Sequence, residues 1–254
     1  MIEHLYGRNA ARECLRARRR HIHKVILADS LKPSAVIDEI RHLAAGLNIP
    51  VITAPRDQLD RLATGHQGVM LETGRYPLVN LDDILARAAR QEEPPFLLAV
   101  DHLEDPQNLG AILRTADAVG VHGVILPRRR AAGVTPAVVN ASAGAAEHVW
   151  VAEVPNLVQS LQRLKEAGVW VVGLEKHPTA QPFHRVDLSG PVALVVGSEG
   201  TGLSRLARKT CDLLVQLPMR GRVESLNASV ACALALYEIW RARGFSHAPG
   251  ESKA

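Results

Sequence analysis

The sequence has few cysteines, few aromatic residues and no recognisable metal motif. Its three cysteines, Cys14, Cys211 and Cys232, lie far apart, which excludes a disulfide framework and the CxxC pairs of a zinc site. None of the eleven histidines belongs to an HExxH pattern. We therefore expect reduced structural thiols and no catalytic metal.

Long apolar runs are also missing. No run approaches the roughly 18 residues that a membrane-spanning helix needs, and the N-terminus lacks the apolar segment of a secretory signal. We expect a cytoplasmic protein without a membrane partner. The chain has 254 residues, of which 47% are hydrophobic and 22% charged. This composition excludes a disordered, collagenous or coiled-coil chain and leaves room for one large or two modest domains.

Positive charge is concentrated near the N-terminus. The formal net charge is only +4, but Arg8 to Lys24 contains seven basic residues against one acid, Glu13. Such a stretch attracts the phosphate backbone of nucleic acids. A solvated helix face has the same pattern, so charge alone leaves both interpretations open.

The apolar pattern predicts two α/β domains. In residues 1–74, strand and helix patterns alternate after a basic helix that starts at Asn9. Residues 75–95 are predicted to be a linker with one helix at 81–89, since Pro94 and Pro95 cannot continue a helix.

Residues 96–244 are predicted to form the larger domain, and 245–254 a flexible tail. Valine- and leucine-rich strands are predicted at 96–100, 123–126, 148–151, 169–174, 192–196 and 213–217. The intervening helices are predicted at 109–119, 137–146, 156–167 and 203–209, with a last helix that ends near Arg243. This alternation predicts a mainly parallel sheet covered on both faces, whose ligands bind beyond the carboxyl ends of the strands.

A first polar segment follows the strand at 96–100 and reads DPQNLGAILRTA from Asp105. Asn108 is well placed to cap the helix that follows, and Arg114 lies away from its apolar stripe. A simpler interpretation is a capped helix with a surface arginine paired to Asp117.

A second segment, VGSEGTGL from Val196, is a glycine-rich loop directly after a strand. It lacks the Lys-Ser/Thr of a phosphate loop and does not match GxGxxG, and Glu199 would repel a pyrophosphate. The loop therefore favours a ligand without phosphates, such as the hydroxyls of an adenosine or a cationic sulfonium. A plain strand-to-helix turn is the alternative, although three glycines exceed what one turn requires.

A third segment, LPMRGRVESLNASVA from Leu217, leads into the last helix. Ser225 and Asn227 lie where this helix begins, so one of them is expected to cap it and the other to be available for another task. The helix is apolar on much of its circumference, which predicts burial in the domain or against a second subunit.

In this order and at these separations, the three segments resemble the SpoU or TrmH family of RNA ribose 2′-O-methyltransferases of the SPOUT superfamily. The resemblance covers residues 96–243. The N-terminal YGRNA from Tyr6 and HQGV from His66 are similar to the substrate-binding domain of family members that methylate a guanosine of bacterial 23S rRNA.

The resemblance implies a fold and partners. The catalytic domain would be an α/β sheet with a deep C-terminal trefoil knot, an exception to the rule that chains are unknotted. It would be preceded by a small α/β RNA-binding domain like ribosomal protein L30. The protein would be a homodimer through its catalytic domain, with S-adenosylmethionine bound by the knot around Gly197, Leu217, Met219 and Leu226.

The resemblance also implies the site residues. Arg114 would lie beside the ribose hydroxyl, either as the base or as a cation that holds the adjacent phosphate and stabilises the developing alkoxide. Asn108, Glu199, Ser225 and Asn227 would hold Arg114, the target nucleotide and the knot. The residues expected to contact RNA are Arg8, Arg18, Arg19, Arg20, His66 and Gln67.

The implied substrate is a guanosine of 23S rRNA, with a tRNA or another rRNA position as the alternative. Outside the family, two other classes compete. A Rossmann dehydrogenase would need the GxGxxG that is missing. A non-catalytic RNA-binding protein would not need Asn108, Arg114, Glu199, Ser225 and Asn227 as a set.

Overall fold

A computed structural model describes residues 2–129, 131–223 and 225–245 of the chain. The predicted tail lies outside these residues except for Phe245. The strands are β1 (Glu3–Tyr6), β2 (Ile22–Ala28), β3 (Val51–Ala54), β4 (Val69–Thr73), β5 (Phe96–Val100), β6 (Gly123–Pro127), β7 (Val151–Val154), β8 (Trp170–Leu174), β9 (Gln181–Pro182), β10 (Val192–Val196) and β11 (Leu213–Gln216). The helices are α1 (Arg8–Ala17), α2 (Ala35–Gly46), α3 (Arg56–Asp60), α4 (Leu81–Arg90), α5 (Pro106–Ala118), α6 (Pro136–Ala141), α7 (Leu157–Glu166), α8 (Arg205–Thr210) and α9 (Ala228–Ala242).

The chain forms two compact units. Of the described residues, the first unit contains those in 2–77 and 134–148, and the second contains those in 78–133 and 149–245. The sequence predicted two contiguous domains. In the structure, residues 134–148, which lie within the predicted catalytic domain, pack with the first unit instead.

The first unit is built on a four-stranded sheet of order β1-β4-β2-β3. Strand β4 is antiparallel to β1 and to β2, whereas β3 is parallel to β2. Apolar side chains from the sheet and from α1 and α2 are fully buried between these layers, among them Leu5, Leu15, Leu27, Ile40 and Leu71. The predicted small α/β unit is thus present, while its likeness to protein L30 stays a prediction.

The segment 134–148 is fastened to the first unit by specific contacts. The Asn140 side chain donates from Nδ2 to the Tyr6 carbonyl oxygen at 2.9 Å, and the Tyr76 hydroxyl donates to the Ala146 carbonyl oxygen at 3.0 Å. Gly7 has φ +95, and a Cβ there would lie 2.5 Å from Asn140 Nδ2. Only glycine therefore fits at the junction between β1 and α1.

The second unit is built on a seven-stranded sheet of order β7-β6-β5-β10-β8-β11-β9. Every registered pair in it is parallel. Its central strands are buried along their length: all five residues of β5 and of β10 are buried. Such uninterrupted apolar strands are typical of a parallel sheet with helices on both faces, which confirms the predicted α/β class. The trefoil knot stays a prediction.

Within the described part of the chain, no helix is long and apolar enough to cross a membrane. The same residues contain no cluster of three or more His, Cys, Asp or Glu side chains suited to a metal ion.

Candidate active site

The candidate site lies at the carboxyl edge of the parallel sheet. Strands β5, β10, β8 and β11 are neighbours in that order and run in the same direction. The loops after Val100, Val196, Leu174 and Gln216 therefore leave the sheet at the same edge, where ligands of such sheets bind. The three segments singled out in the sequence follow three of these four strands.

Asn227 joins the three segments. It is the N-cap of α9, and its Oδ1 accepts hydrogen bonds from the backbone N–H of Ser229 at 2.9 Å and of Val230 at 3.3 Å. Its Nδ2 donates to Asn108 Oδ1 at 2.9 Å and to Glu199 Oε2 at 3.3 Å. One side chain thus caps a helix and ties together residues that are 119 and 28 positions away in sequence.

Asn108 does not cap α5, so that expectation was wrong. The cap is Asp105, whose carboxylate accepts from the backbone N–H of Gln107 at 3.2 Å and of Asn108 at 3.0 Å. Pro106 occupies the first helical position, where its fixed φ fits and its missing N–H costs nothing. The cap at Asp105 leaves the Asn108 side chain available for Asn227.

Arg114 lies on the exposed side of α5, which packs against α9. Its guanidinium has no hydrogen-bond or ion-pair partner within the part of the chain that the structure describes. A cation at this place is available to a ligand. Ser225, the second candidate cap, is also exposed and leaves the capping of α9 to Asn227.

The glycine-rich loop after β10 folds tightly upon itself. The Gly202 N–H donates to the Ser198 carbonyl oxygen at 3.0 Å. A Cβ on Gly197 would lie 2.2 Å from the Gly202 carbonyl, and Gly202 itself has φ +65. Gly197 is therefore required by the close approach of backbone and Gly202 by its positive φ, which disfavours the plain-turn interpretation.

A cleft of about 370 Å³ opens between this loop and the start of α9. It is lined by all four residues predicted to hold a cofactor and by two of the predicted catalytic residues: Gly197, Leu217, Met219, Leu226, Glu199 and Ser225. The structure thus brings together the residues from the second and third segments in one concave site.

A brace behind the glycine loop was missed in the sequence. Glu175, which follows β8, accepts hydrogen bonds from the Leu203 N–H at 3.2 Å and from Arg208 Nη2 at 2.9 Å. A Cβ on Gly202 would lie 2.4 Å from Glu175 Oε1, so the carboxylate and the loop are in close contact. The position of Glu175 directly after a predicted strand could have marked it as a candidate site residue. Nothing in the sequence pattern marks its partner, Arg208.

The predicted RNA-binding residues lie in the first unit. Arg18 is exposed beyond the end of α1, and Gln67 is exposed in the turn before β4. Arg8 donates from Nε to the Gln67 carbonyl oxygen at 3.3 Å, which places these two residues side by side. Arg19 is half-buried and donates to the carbonyl oxygens of Glu147 and Pro77 at 3.1 and 3.2 Å.

Arg20 does not fit an RNA-binding role. Its side chain is 0% exposed and lies between two carboxylates, Glu3 at 2.6 Å and Glu147 at 2.9 Å. Burial opposes the charged form, but the Glu147 and Glu3 carboxylates outweigh it and raise the pKa of Arg20 above its usual value. Arg20 is therefore a structural cation of the first unit.

His66 is likewise not available to RNA. It is 2% exposed, and its Nδ1 accepts from the Gly68 N–H at 2.9 Å. The remaining nitrogen, Nε2, donates to Asp60 Oδ1 at 2.7 Å. Both nitrogens of the ring are thus used to hold the turn that presents Gln67.

Two family models match the chain. Residues 95–237 match the SpoU rRNA methylase family. The chain belongs to this family. Residues 4–79 match the model described as RNA 2′-O ribose methyltransferase substrate binding. The predicted family, and with it the class of enzyme, an RNA methyltransferase, is confirmed, and the dehydrogenase alternative is set aside.

The family relatives extend over nearly the whole chain. A Bacillus subtilis (strain 168) protein named as the TrmH family tRNA/rRNA methyltransferase YacO is 44% identical over 242 residues, 95% of this chain and 96% of that protein. A protein of Mycolicibacterium vanbaalenii, named as a tRNA/rRNA methyltransferase, is 43% identical over 245 residues, 95% of this chain and 77% of that protein.

Among solved structures, the SpoU methyltransferase AviRb from Streptomyces viridochromogenes superposes with a TM-score of 0.79. It is 25% identical, and the match covers 96% of this chain and 92% of AviRb. AviRb was crystallised in complex with AdoMet, so the predicted cofactor is confirmed at the level of the family.

Proposed function

We propose that this protein transfers a methyl group from S-adenosylmethionine to a ribose 2′-hydroxyl of RNA, at a guanosine of 23S rRNA. The observation that carries the proposal is the junction at Asn227, where the three segments meet beside a cleft at the carboxyl edge of the sheet. The family supports RNA methyl transfer, and its substrate-binding model supports the ribose 2′-oxygen as the target.

The residues of the cleft fit S-adenosylmethionine. About 370 Å³ lies within the roughly 300–1,000 Å³ of small-molecule sites. Leu217, Met219 and Leu226 offer an apolar wall for an adenine ring, and the backbone around Gly197 offers polar groups at close range. Glu199 gives the site a carboxylate, which suits a cationic sulfonium and disfavours a phosphate. When bound, this cofactor supplies the activated methyl group.

The protein's own residues position the acceptor. Arg114 binds the phosphate next to the target ribose and stabilises negative charge that develops on the 2′-oxygen. Asn227 fixes Asn108 and Glu199 relative to the first turn of α9, and Ser225 faces the cleft beside them. Alignment of this kind gives effective molarities of about 10⁵ M or more.

The first unit contributes the RNA-binding surface, which we assign to Arg8, Arg18, Arg19 and Gln67. The chain has only three each of Phe, Trp and Tyr, so extensive base stacking is disfavoured. Recognition through phosphates and folded RNA shape fits better.

A homodimer through α9 fits the exposed apolar side chains of that helix. Val230, Leu234 and Tyr237 are 47%, 48% and 45% exposed in the single chain. Side chains of this kind are buried in an obligate dimer interface.

The proposed substrate is tested with total RNA from a strain that lacks this protein. The RNA is incubated with labelled S-adenosylmethionine, and the modified position is mapped by resistance to alkaline cleavage. We expect one protected position in 23S rRNA. A protected position in tRNA would show that the substrate is a tRNA and not 23S rRNA. Label that is incorporated without resistance to alkaline cleavage would contradict methylation of the ribose.

The role of Arg114 is tested by Arg114→Ala. Because the side chain is exposed on α5 and outside the cleft lining, we expect the affinity for S-adenosylmethionine to stay within about threefold. Loss of one charge-stabilising donor predicts a fall of about 10²- to 10³-fold in the methyl-transfer rate. Calorimetry and single-turnover kinetics measure the two quantities, and near-normal turnover would remove Arg114 from the mechanism.

A further inference from the structure

A second cavity, of about 400 Å³, lies at the carboxyl edge of the sheet. It opens where β5, β6 and β7 end and where α7 and α8 begin. We call it the edge pocket and define it by His102, Pro127, Arg129, Pro155, Arg205 and Leu206. No residue assigned above to the cofactor or to the acceptor lines it.

The polar lining of the edge pocket is positively charged. Arg129 and Arg205 are exposed, and neither has a hydrogen-bond or ion-pair partner among residues 2–129, 131–223 and 225–245. Among the described residues of the lining, Asp101 is the only acid, and it is 1% exposed and already hydrogen-bonded. Its Oδ2 accepts from the Ser204 N–H at 2.7 Å, and its Oδ1 is hydrogen-bonded to His102 Nδ1. The cations are therefore available for an anion.

The rest of the lining is apolar. Leu206 is 59% exposed, although leucine is usually a buried residue, and Pro127 and Pro155 are part of the same wall. Cations next to an apolar wall suit a ligand with a phosphate and a flat ring. A nucleotide has both parts, whereas a simple anion would gain nothing from the wall.

The edge pocket is adjacent to the proposed methyl-transfer site. Gly202 lines the cofactor cleft and Ser204 lines the edge pocket, so only Leu203 separates the two cavities along this segment. On the other side, Asp101 and His102 begin the loop that leads to Asp105 and α5. An RNA strand that places its target ribose near Asn108 therefore has the edge pocket as its neighbour.

We propose that the edge pocket binds a nucleotide of the RNA substrate that flanks the methylated one, with its phosphate at Arg129 and Arg205 and its base against Leu206. This inference rests on the proposed function, because it takes RNA as the substrate. The second unit would then take part in the selection of RNA, in addition to the RNA-binding surface of the first unit.

The first test needs no methyl transfer. Guanosine 5′-monophosphate is titrated into the full-length protein, and NMR follows the backbone amides of Val158 and Leu206, with inorganic phosphate titrated in parallel. We expect saturable shifts with the nucleotide and at least tenfold weaker binding of phosphate. No shift, or equal affinity for phosphate, would overturn the proposal whether or not the protein methylates RNA.

The second test compares Arg129→Gln/Arg205→Gln with Arg90→Gln/Lys209→Gln. The control removes the same charge at two exposed positions in the last turns of α4 and α8, near the amino edge of the sheet. We expect the pocket variant to raise the KM for RNA about tenfold, with kcat and the affinity for S-adenosylmethionine within twofold. The control should leave all three within twofold.

Two further measurements complete the comparison, and the first of them, on Leu206→Glu, decides the case if the arginine variant is unstable. Leu206→Glu places a negative charge at the exposed rim with little cost in packing, and it should also raise the KM for RNA. In the Arg129→Gln/Arg205→Gln protein, the slope of log K for RNA binding against log salt concentration should become less negative by about 0.7 for each phosphate that is no longer neutralised. A KM unchanged in both pocket variants, or changed equally in the control, would refute the edge pocket as an RNA subsite.

Discussion

At the scale of single residues, the second unit contains a histidine whose ionisation is coupled to folding. His122 is 2% exposed, and its Nδ1 accepts from the Phe96 N–H at 3.0 Å. Burial first, and then the nearby charges of Arg87 and Arg243, lower its pKa to about 4. Glu93, 3.3 Å from Nε2, does not reverse this shift.

The pH dependence of stability follows from that shift. An unfolded chain binds a proton at this histidine near pH 6.5, whereas the folded chain resists it until about pH 4. The stability contributed by neutral His122 is therefore present above pH 6.5 and is lost as the pH falls towards 4. We expect His122→Asn, whose side-chain oxygen can accept the same hydrogen bond, to flatten the fall of the melting temperature between pH 6.5 and 4.

The control for this prediction is His21→Asn, since His21 is exposed. Thermal melts across the pH range should give the wild-type slope for His21→Asn and a shallower slope for His122→Asn. Equal slopes for all three proteins would contradict the coupling.

The contacts of single residues were hard to predict where they depend on competing or distant partners. Glu199 and Asn227, which the motifs singled out, lie within hydrogen-bond distance of each other. The capping role of Asn108 was misjudged because Asp105 competes for the same N–H groups with a proline behind it. Arg20 was misjudged because its main partner, Glu147, is 127 positions away in sequence.

At the scale of elements, the basic stretch after α1 divides into an exposed part and a buried part. Arg18 has φ 52 and ends the helix, which turns the chain so that Arg20 enters the first unit. Removal of one partner from a buried ion pair costs about 3–5 kcal/mol. We therefore expect Arg20→Ala to destabilise the protein by that amount, measured by urea unfolding.

Arg18→Ala is the matched variant, because it removes the same charge from an exposed position. It should leave the free energy of unfolding within about 0.5 kcal/mol and weaken RNA binding. If Arg20→Ala were as stable as Arg18→Ala, the assignment of a structural role to Arg20 would be wrong.

Most elements could be predicted because their apolar period is strong. The helices α4, α5 and α7 and the strands β5, β8 and β10 fall within a few residues of their predicted positions. Two short edge strands, β1 and β9, were missed because four and two residues carry little periodicity. The helix predicted at 137–146 is interrupted between α6 and a 3₁₀ turn, where Ala143 has φ 53 and Gly144 has φ 91.

At the scale of the whole molecule, the order of the strands decides the site and could not be predicted. Alternating strands and helices in the sequence predict a parallel sheet, but they are compatible with many different orders of the strands within that sheet. Here β10 lies between β5 and β8, and this insertion brings the loops after Val100 and Val196 side by side. The packing of residues 134–148 with the first unit also depends on contacts between residues far apart in sequence, so it could not be predicted either.

Asn227 joins three distant segments into the proposed methyl-transfer site, and Asn227→Asp separates this joining role from helix capping. Aspartate caps a helix as well as asparagine does, so the start of α9 should be kept. It cannot donate to Asn108, and its charge repels Glu199. Asn227→Ala, which loses the cap as well, serves as the comparison and should cost about 1 kcal/mol more in stability.

The measurement is the single-turnover rate of methyl transfer to the mapped RNA, with the melting temperature recorded for each protein. We expect Asn227→Asp to melt within a few degrees of the wild type and to transfer methyl about 10²-fold more slowly, because misplaced groups of a site cost about that factor. A wild-type rate in Asn227→Asp would show that the three segments act without the hydrogen bonds of Asn227, and the proposed site would be wrong.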